Sequence, residues 1–228
     1  MIVLVPALHG LGTAIPLAVG AVVGVYLPLP QRLVAALLAF ASGALLTGLA
    51  FELFQPAVRT VGIEPTAVSL FAGTGLYVFV KYRLGAGDGP EGYPLLAAGV
   101  FDGPAENITL GVAIVGGSGG GPLAILVGVA ANNLPEAIAG AAVWRRTGTQ
   151  TDGLGVWGAT ATGLAAAVVV SNVAFSNVGA STLALVRATG GGAVLASLAV
   201  EIMPDAYEIG DPSIAFAAAG FLITFLLV

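Results

Sequence analysis

The sequence predicts an all-α membrane protein, a single domain of eight helices. Three observations lead there. The 228 residues are 57% hydrophobic and only 8% charged, with a mean hydropathy of +1.01, whereas a soluble domain carries about 25% charged residues. Apolar runs near the ~20 residues needed to cross a bilayer follow one another along the whole chain, punctuated by charge, Pro or Gly. The 34 glycines suit helices that pack backbone to backbone in lipid.

In order, the first span covers about 2–26 and ends at Leu27-Pro28-Leu29-Pro30, and the second runs from about Leu33 to Phe54. The third, about 66–82, is followed by a polar loop, 81–92. The fourth, about 93–115, closes on a glycine-rich stretch, 116–121, and the fifth, about 122–144, stops at Arg145-Arg146. The uncharged run 153–186 is too long for one span and holds the sixth helix and the turn into the seventh. That helix runs to about Met203, and the eighth is 212–228. The first run is too long, and too poor in basic residues, for a cleavable signal peptide.

Basic residues orient the bundle. With an outside N-terminus, Arg32, Lys81, Arg83, Arg145 and Arg146 fall inside, and Arg59 and Arg187 outside. Tyr26, Tyr82, Tyr93, Trp144, Trp157 and Tyr207 then become interfacial anchors, while Tyr77 lies deeper. The chain is expected in the cell membrane as a multi-pass protein. Seven scattered basic residues and a net charge of −5 exclude nucleic-acid binding. The absence of cysteine excludes thiolate metal sites, thiol nucleophiles and disulfides.

Two stretches place acids, amides and a proline inside apolar spans: Phe101-Asp102-Gly103-Pro104-Ala105-Glu106-Asn107 and Ala131-Asn132-Asn133-Leu134-Pro135-Glu136. On helices, Asp102 and Glu106 share one face, as do Asn132 and Glu136. A carboxylate at mid-bilayer costs roughly 2.5–3.5 kcal/mol even on the lenient insertion scale, and neither span holds a basic partner. Asp102, Glu106, Asn132, Asn133 and Glu136 therefore form a candidate cation site, and Asn107 a candidate pathway residue. Pro104 and Pro135 each remove a backbone N–H and free a carbonyl upstream, the type of oxygen that serves as ligand in broken transporter helices. A network of protonated carboxylates and amides that only sets packing is the alternative.

A repeat runs through the chain. Residues 43–54 (GALLTGLAFELF) match residues 192–203 (GAVLASLAVEIM), identical at six of twelve positions, including Glu52 and Glu201. On the predicted topology these lie in the second and seventh spans, which run in opposite directions, as inverted repeats in transporters do. Glu52 and Glu201 are candidates for a gate or proton relay.

These motifs resemble the ZIP family of divalent-metal transporters. Asp102-Gly103-Pro104-Ala105-Glu106-Asn107 is similar to the family's fourth-helix pattern His-Asn/Ser-x-x-Glu-Gly, and Asn132-Asn133-Leu134-Pro135-Glu136 to its fifth-helix His/Gln-x-x-Pro-Glu-Gly. Val200-Glu201-Ile202-Met203-Pro204-Asp205 resembles the seventh-helix His-Glu-x-x-Pro-Glu, and 39–45 the second helix. The resemblance implies an eight-helix bundle with both termini outside. Helices 1–3 and 6–8 would form an inverted repeat around helices 4 and 5, which would carry a mid-membrane metal site. It also implies transport of zinc or a similar divalent ion as cargo, with no resident cofactor and no enzymatic activity, and leaves a homodimer open.

Several positions depart from the family. Asp102 stands for the fourth-helix histidine, Gly103 for the next ligand, and Val200 for the seventh-helix histidine. The stretch 162–167 has no acid, and the loop between the third and fourth spans has no histidine. One all-oxygen site then fits better than a paired-metal site, favouring harder ions such as Mn²⁺ or Mg²⁺, although zinc also accepts carboxylates. His9, the only histidine, reads as a packing residue. Asn172, Ser176 and Asn177 read as interhelical hydrogen-bonding groups. Gly85-Ala86-Gly87-Asp88 matches the Gly-x-Gly-Asp of intramembrane aspartyl proteases but lies in a polar loop without a paired Tyr-Asp. An intramembrane hydrolase using two carboxylates and a non-transporting membrane subunit remain the alternative functions.

Overall fold

The computed structural model describes residues 3–84, 93–116, 121–147, 149–209 and 214–227. They form eight helices, and six are long and apolar enough to cross a membrane. The helices are α1 (Leu4–Tyr26), α2 (Gln31–Val61), α3 (Ile63–Leu84), α4 (Tyr93–Gly116), α5 (Gly121–Thr147) and α6 (Gln150–Phe175). The last two are α7, which begins at Ala180 and ends at Ile209, and the 12-residue α8 (Ile214–Phe225), the six long apolar helices being α1, α2, α3, α5, α6 and α7.

Local chemistry sets the ends. Leu27 turns extended before Pro28, and Pro30 precedes α2 without continuing α1. Gly62 takes φ +87° at the end of α2, the left-handed position that glycine fills at helix termini, so α3 starts at once. Helix α3 spans 22 residues, longer than its apolar run predicts. Helix α7 starts at Ala180 after a turn at 176–179. Arg187, counted on the outer side from the sequence, lies two turns inside α7. Its guanidinium donates to the carbonyls of Ala113 (2.9 Å) and Val112 (3.4 Å) at the end of α4. There the cation lies at the C-terminal end of α4, where positive charge complements the helix dipole.

Helices α2 and α7 each contain a π-helical segment, Leu49–Phe54 and Leu198–Ile202. In each, the last bond spans five residues, Gln55 N–H to Ala50 O and Met203 N–H to Leu198 O. The next residue is Pro56 or Pro204. A proline cannot donate and its ring crowds the preceding turn. The widened turn absorbs this without breaking the helix. Glu52 lies in the first π segment and Glu201 in the second.

The helices divide into two groups. Helix α1 packs on α5 and α6, and α4 on α6, forming one group; α2 packs on α8 and on α7, and α3 on α7, forming the other. The groups meet where α2 faces α5 and α7 faces α4. Exchanging α1 with α6, α2 with α7, α3 with α8 and α4 with α5 maps this set of pairings onto itself. The register repeats too. A Cβ on Gly220 of α8 would overlap the Phe40 carbonyl and crowd Ala44 N, and one on Gly73 of α3 would overlap the Thr189 carbonyl and crowd Ala193 N. Phe40 and Ala44 correspond to Thr189 and Ala193 in the repeat that pairs Gly43 with Gly192. Glycine is required at both places because the backbones touch.

Trp157, expected as an interfacial anchor, is instead a core residue of α1, α5 and α6, with Leu17, Ala21 and Ala137. Its ring occupies the space a side chain at Gly140 would need. Tyr26, Tyr82 and Tyr207 are exposed, and Tyr77 is buried.

Candidate metal centre

Helices α4 and α5 run continuously through Pro104 and Pro135, so their polar stretches stay on one face of each helix. The missing N–H groups leave the carbonyls of Val100 and Ala131 without their helical donors. Neither helix is broken at its motif.

The two acid faces converge. Asn132 Nδ2 lies 3.4 Å from Glu106 Oε1 and 3.4 Å from Glu136 Oε2, so one amide group reaches both carboxylates. These contacts are longer than the usual 2.7–3.2 Å of N–H···O bonds. Asn132 stands between the two carboxylates without being locked to either. Glu106 is 1% exposed and Asn132 2% exposed. Glu106 Oε2 and Asn132 Oδ1 are buried with no hydrogen-bond partner among the described residues. Orphaned buried oxygens carry a desolvation penalty, and both are cation-seeking. A 180° turn of the Asn132 amide would present its oxygen to both carboxylates without moving the backbone. A void of about 10 Å³ beside Glu106 is lined by Thr109, Leu45, Gly48, Ile125 and Val194. It lies between α2, α4, α5 and α7, at the seam of the two helix groups.

Two amides also tie the motif helices to α1. Asn107 accepts a 2.7 Å bond from the Thr13 hydroxyl on α1 and donates to the Gly103 carbonyl at 2.8 Å. Asn133 Nδ2 donates to the Thr13 carbonyl at 2.9 Å, and its Oδ1 is a buried oxygen without a partner among the described residues. Thr13 thus ties α1 to both motif helices and fixes their relative height. A lone hydroxyl in an apolar run gave no sequence signal for that role. Glu52 lies within electrostatic reach of Arg187, a partner its own sequence neighbourhood does not reveal. His9 Nδ1 donates to the Val5 carbonyl of its own helix at 2.8 Å. Asn172 Nδ2 donates to the Gly111 carbonyl at 3.1 Å, joining α6 to α4.

The Asp102 and Glu201 side chains and the 85–88 loop lie outside the described residues. Among those described, no three His, Cys, Asp or Glu side chains cluster as a metal-binding group. What converges is two carboxylates and one amide. Compared with known proteins, the chain matches no family model and no curated protein.

Proposed function

We propose that this chain carries divalent metal cations across a membrane, with Glu106 of α4 and Glu136 of α5 holding the ion between them. Asp102, Asn132 and Asn133 complete an oxygen-rich shell, and Glu52 and Glu201 flank the route. One observation carries the reading. Two carboxylates from different apolar helices converge within reach of a single amide, and no Lys or Arg stands anywhere between Tyr93 and Trp144. Buried carboxylates persist when a partner offsets their desolvation, and a divalent cation is a partner that two carboxylates can share.

The ZIP-like arrangement belongs to this proposal: helices 1–3 and 6–8 as an inverted repeat around helices 4 and 5. The exchange symmetry of the packing and the matching π segments support it. The site sits at the seam between α1, α4, α5, α6 and α2, α3, α7, α8. Displacing one group against the other would open that seam to alternate sides. All-oxygen ligation favours Mn²⁺ or Mg²⁺, with Zn²⁺ also accepted.

The deciding experiment is metal analysis of protein purified and loaded with Mn²⁺ or Zn²⁺. The expected result is bound metal in the wild type, its loss in Glu136→Ala, and retention in Glu64→Ala, an exposed position at the start of α3. Equal metal content in wild type and Glu136→Ala would remove the site from α5.

A further inference from the structure

We infer that the crevice between α3 and α4 is a binding site for one hydrocarbon chain of a membrane lipid. Helices α3 and α4 both pack on α7 but scarcely on each other. Between them is a cavity of about 380 Å³, floored by Thr189, Gly190 and Ala193 of α7 and walled by Leu76, Tyr77 and Ile108. That volume lies within the roughly 300–1,000 Å³ of small-molecule sites. The crevice opens onto the apolar outer surface, where Leu76 is 57% and Ile108 42% exposed. A dry apolar space deprives its lining of dispersion contacts, and water gains nothing there without polar partners. In a bilayer the surrounding fluid is hydrocarbon, so a chain enters.

The repeat shows that this space is specific to one half of the molecule. Aligning Glu106 with Glu136 places Ile108 opposite Ile138, which is 5% exposed and part of the main core. The floor of that second half is bulkier, with Phe40 for Thr189, Ala41 for Gly190 and Leu37 for Val186. At the matched positions the protein encloses Ile138 and leaves Ile108 exposed beside the open crevice. The crevice opens on the apolar surface that faces the bilayer, so the occupant at hand is a slim acyl or alkyl chain of the surrounding lipid. Thr109 lines both this crevice and the void beside Glu106, so the chain would lie against the seam of the two helix groups.

The test uses full-length protein in nanodiscs of phospholipid carrying a photoreactive diazirine midway along one acyl chain, with labelled residues read by peptide mass spectrometry. Labelling should concentrate at Leu76, Tyr77 and Ile108. It should exceed that at Ile223, the counterpart of Leu76 on α8, which is comparably exposed at 49%. Thr189→Phe, which builds the floor of the other half, should abolish the excess and leave Ile223 unchanged. The comparison of Leu76 with Ile223 is made within one wild-type molecule and holds even if the variant does not fold. Equal labelling at those two positions, or an excess that survives Thr189→Phe, overturns the proposal. So does efficient disulfide crosslinking between two copies of Leu76→Cys, which would make a second copy the occupant.

Discussion

Replacing Asn132 by aspartate probes the convergence of α4 and α5 most directly. The substitution keeps the shape, removes the donor that lies 3.4 Å from both Glu106 and Glu136, and puts a third carboxyl in its place. At that distance an ionised third carboxyl is repelled by about 5 kcal/mol by each glutamate that is itself ionised, with an effective dielectric of 20. The new carboxyl can escape by holding a proton, which from an ordinary pKa near 3.9 costs about 4 kcal/mol at pH 7. The metal-free loss is therefore bounded at about 4 kcal/mol, plus about 1.5 kcal/mol for the lost charge-assisted donor. With about 2–4 °C per kcal/mol for a chain of this size, Tm should fall by roughly 10–20 °C.

The loss should shrink by about 1.4 kcal/mol for each pH unit of acidification, because holding that proton becomes easier. Added Mn²⁺ should return most of it, so its stabilising effect should be larger in Asn132→Asp than in wild type. Asn132→Leu removes the donor without the charge and separates the two contributions. Thermal unfolding in detergent, with and without Mn²⁺, at pH 7 and pH 5.5, reads all of these quantities. A metal-free Asn132→Asp protein as stable as wild type at pH 7 would show that the carboxylates do not share a space. A metal effect no larger than in wild type would show that the shared space is not a cation site.

Three further outcomes are expected. A carboxylate must lose its proton to ligate a metal, so Mn²⁺ binding should release protons into weakly buffered solution and affinity should fall on acidification; a pH-independent affinity would exclude Glu106 and Glu136 from the shell. Asp102→His should move preference from Mn²⁺ toward Zn²⁺, as imidazole favours zinc, and the same metal ranking in Asp102→Ala would show that position 102 is not a ligand. Gly43→Ala should lower Tm by several degrees, since its Cβ would overlap the Ala217 carbonyl and overpacking costs about 1–3 kcal/mol or more; Gly163→Ala, with nothing near its Cβ, should gain up to about 1 kcal/mol, and equal effects at both positions would refute the close-contact reading.

The sequence by itself determined the class of the protein and the positions of its helices. Apolar runs near 20 residues with sparse charge read as helices in lipid, because a helix satisfies its backbone polar groups inside its own segment. It also determined which residues are costly there, and hence that Glu106, Asn132 and Glu136 needed an explanation. The repeat was legible because Glu52 and Glu201 are improbable in apolar helices and so mark the register.

Other features depended on contacts between helices far apart in sequence, which no local pattern encodes. Only the tertiary structure decided that Asn107 and Asn133 are tied to Thr13 on α1 while Asn132 alone stands between the carboxylates. All three amides look alike along the chain, and the helix that presses on each sets its role. Arg187 counted only as an orienting charge until the end of α4 was seen to supply its carbonyl partners. Trp157 looked interfacial until Gly140 was seen to make room for its ring. A proline follows each repeat stretch, but whether each helix would break or widen into a π turn depended on the neighbours holding it. The two halves of the repeat share their register, yet Ile138 is enclosed while its counterpart Ile108 lies open beside Thr189, a matter of volume in three dimensions.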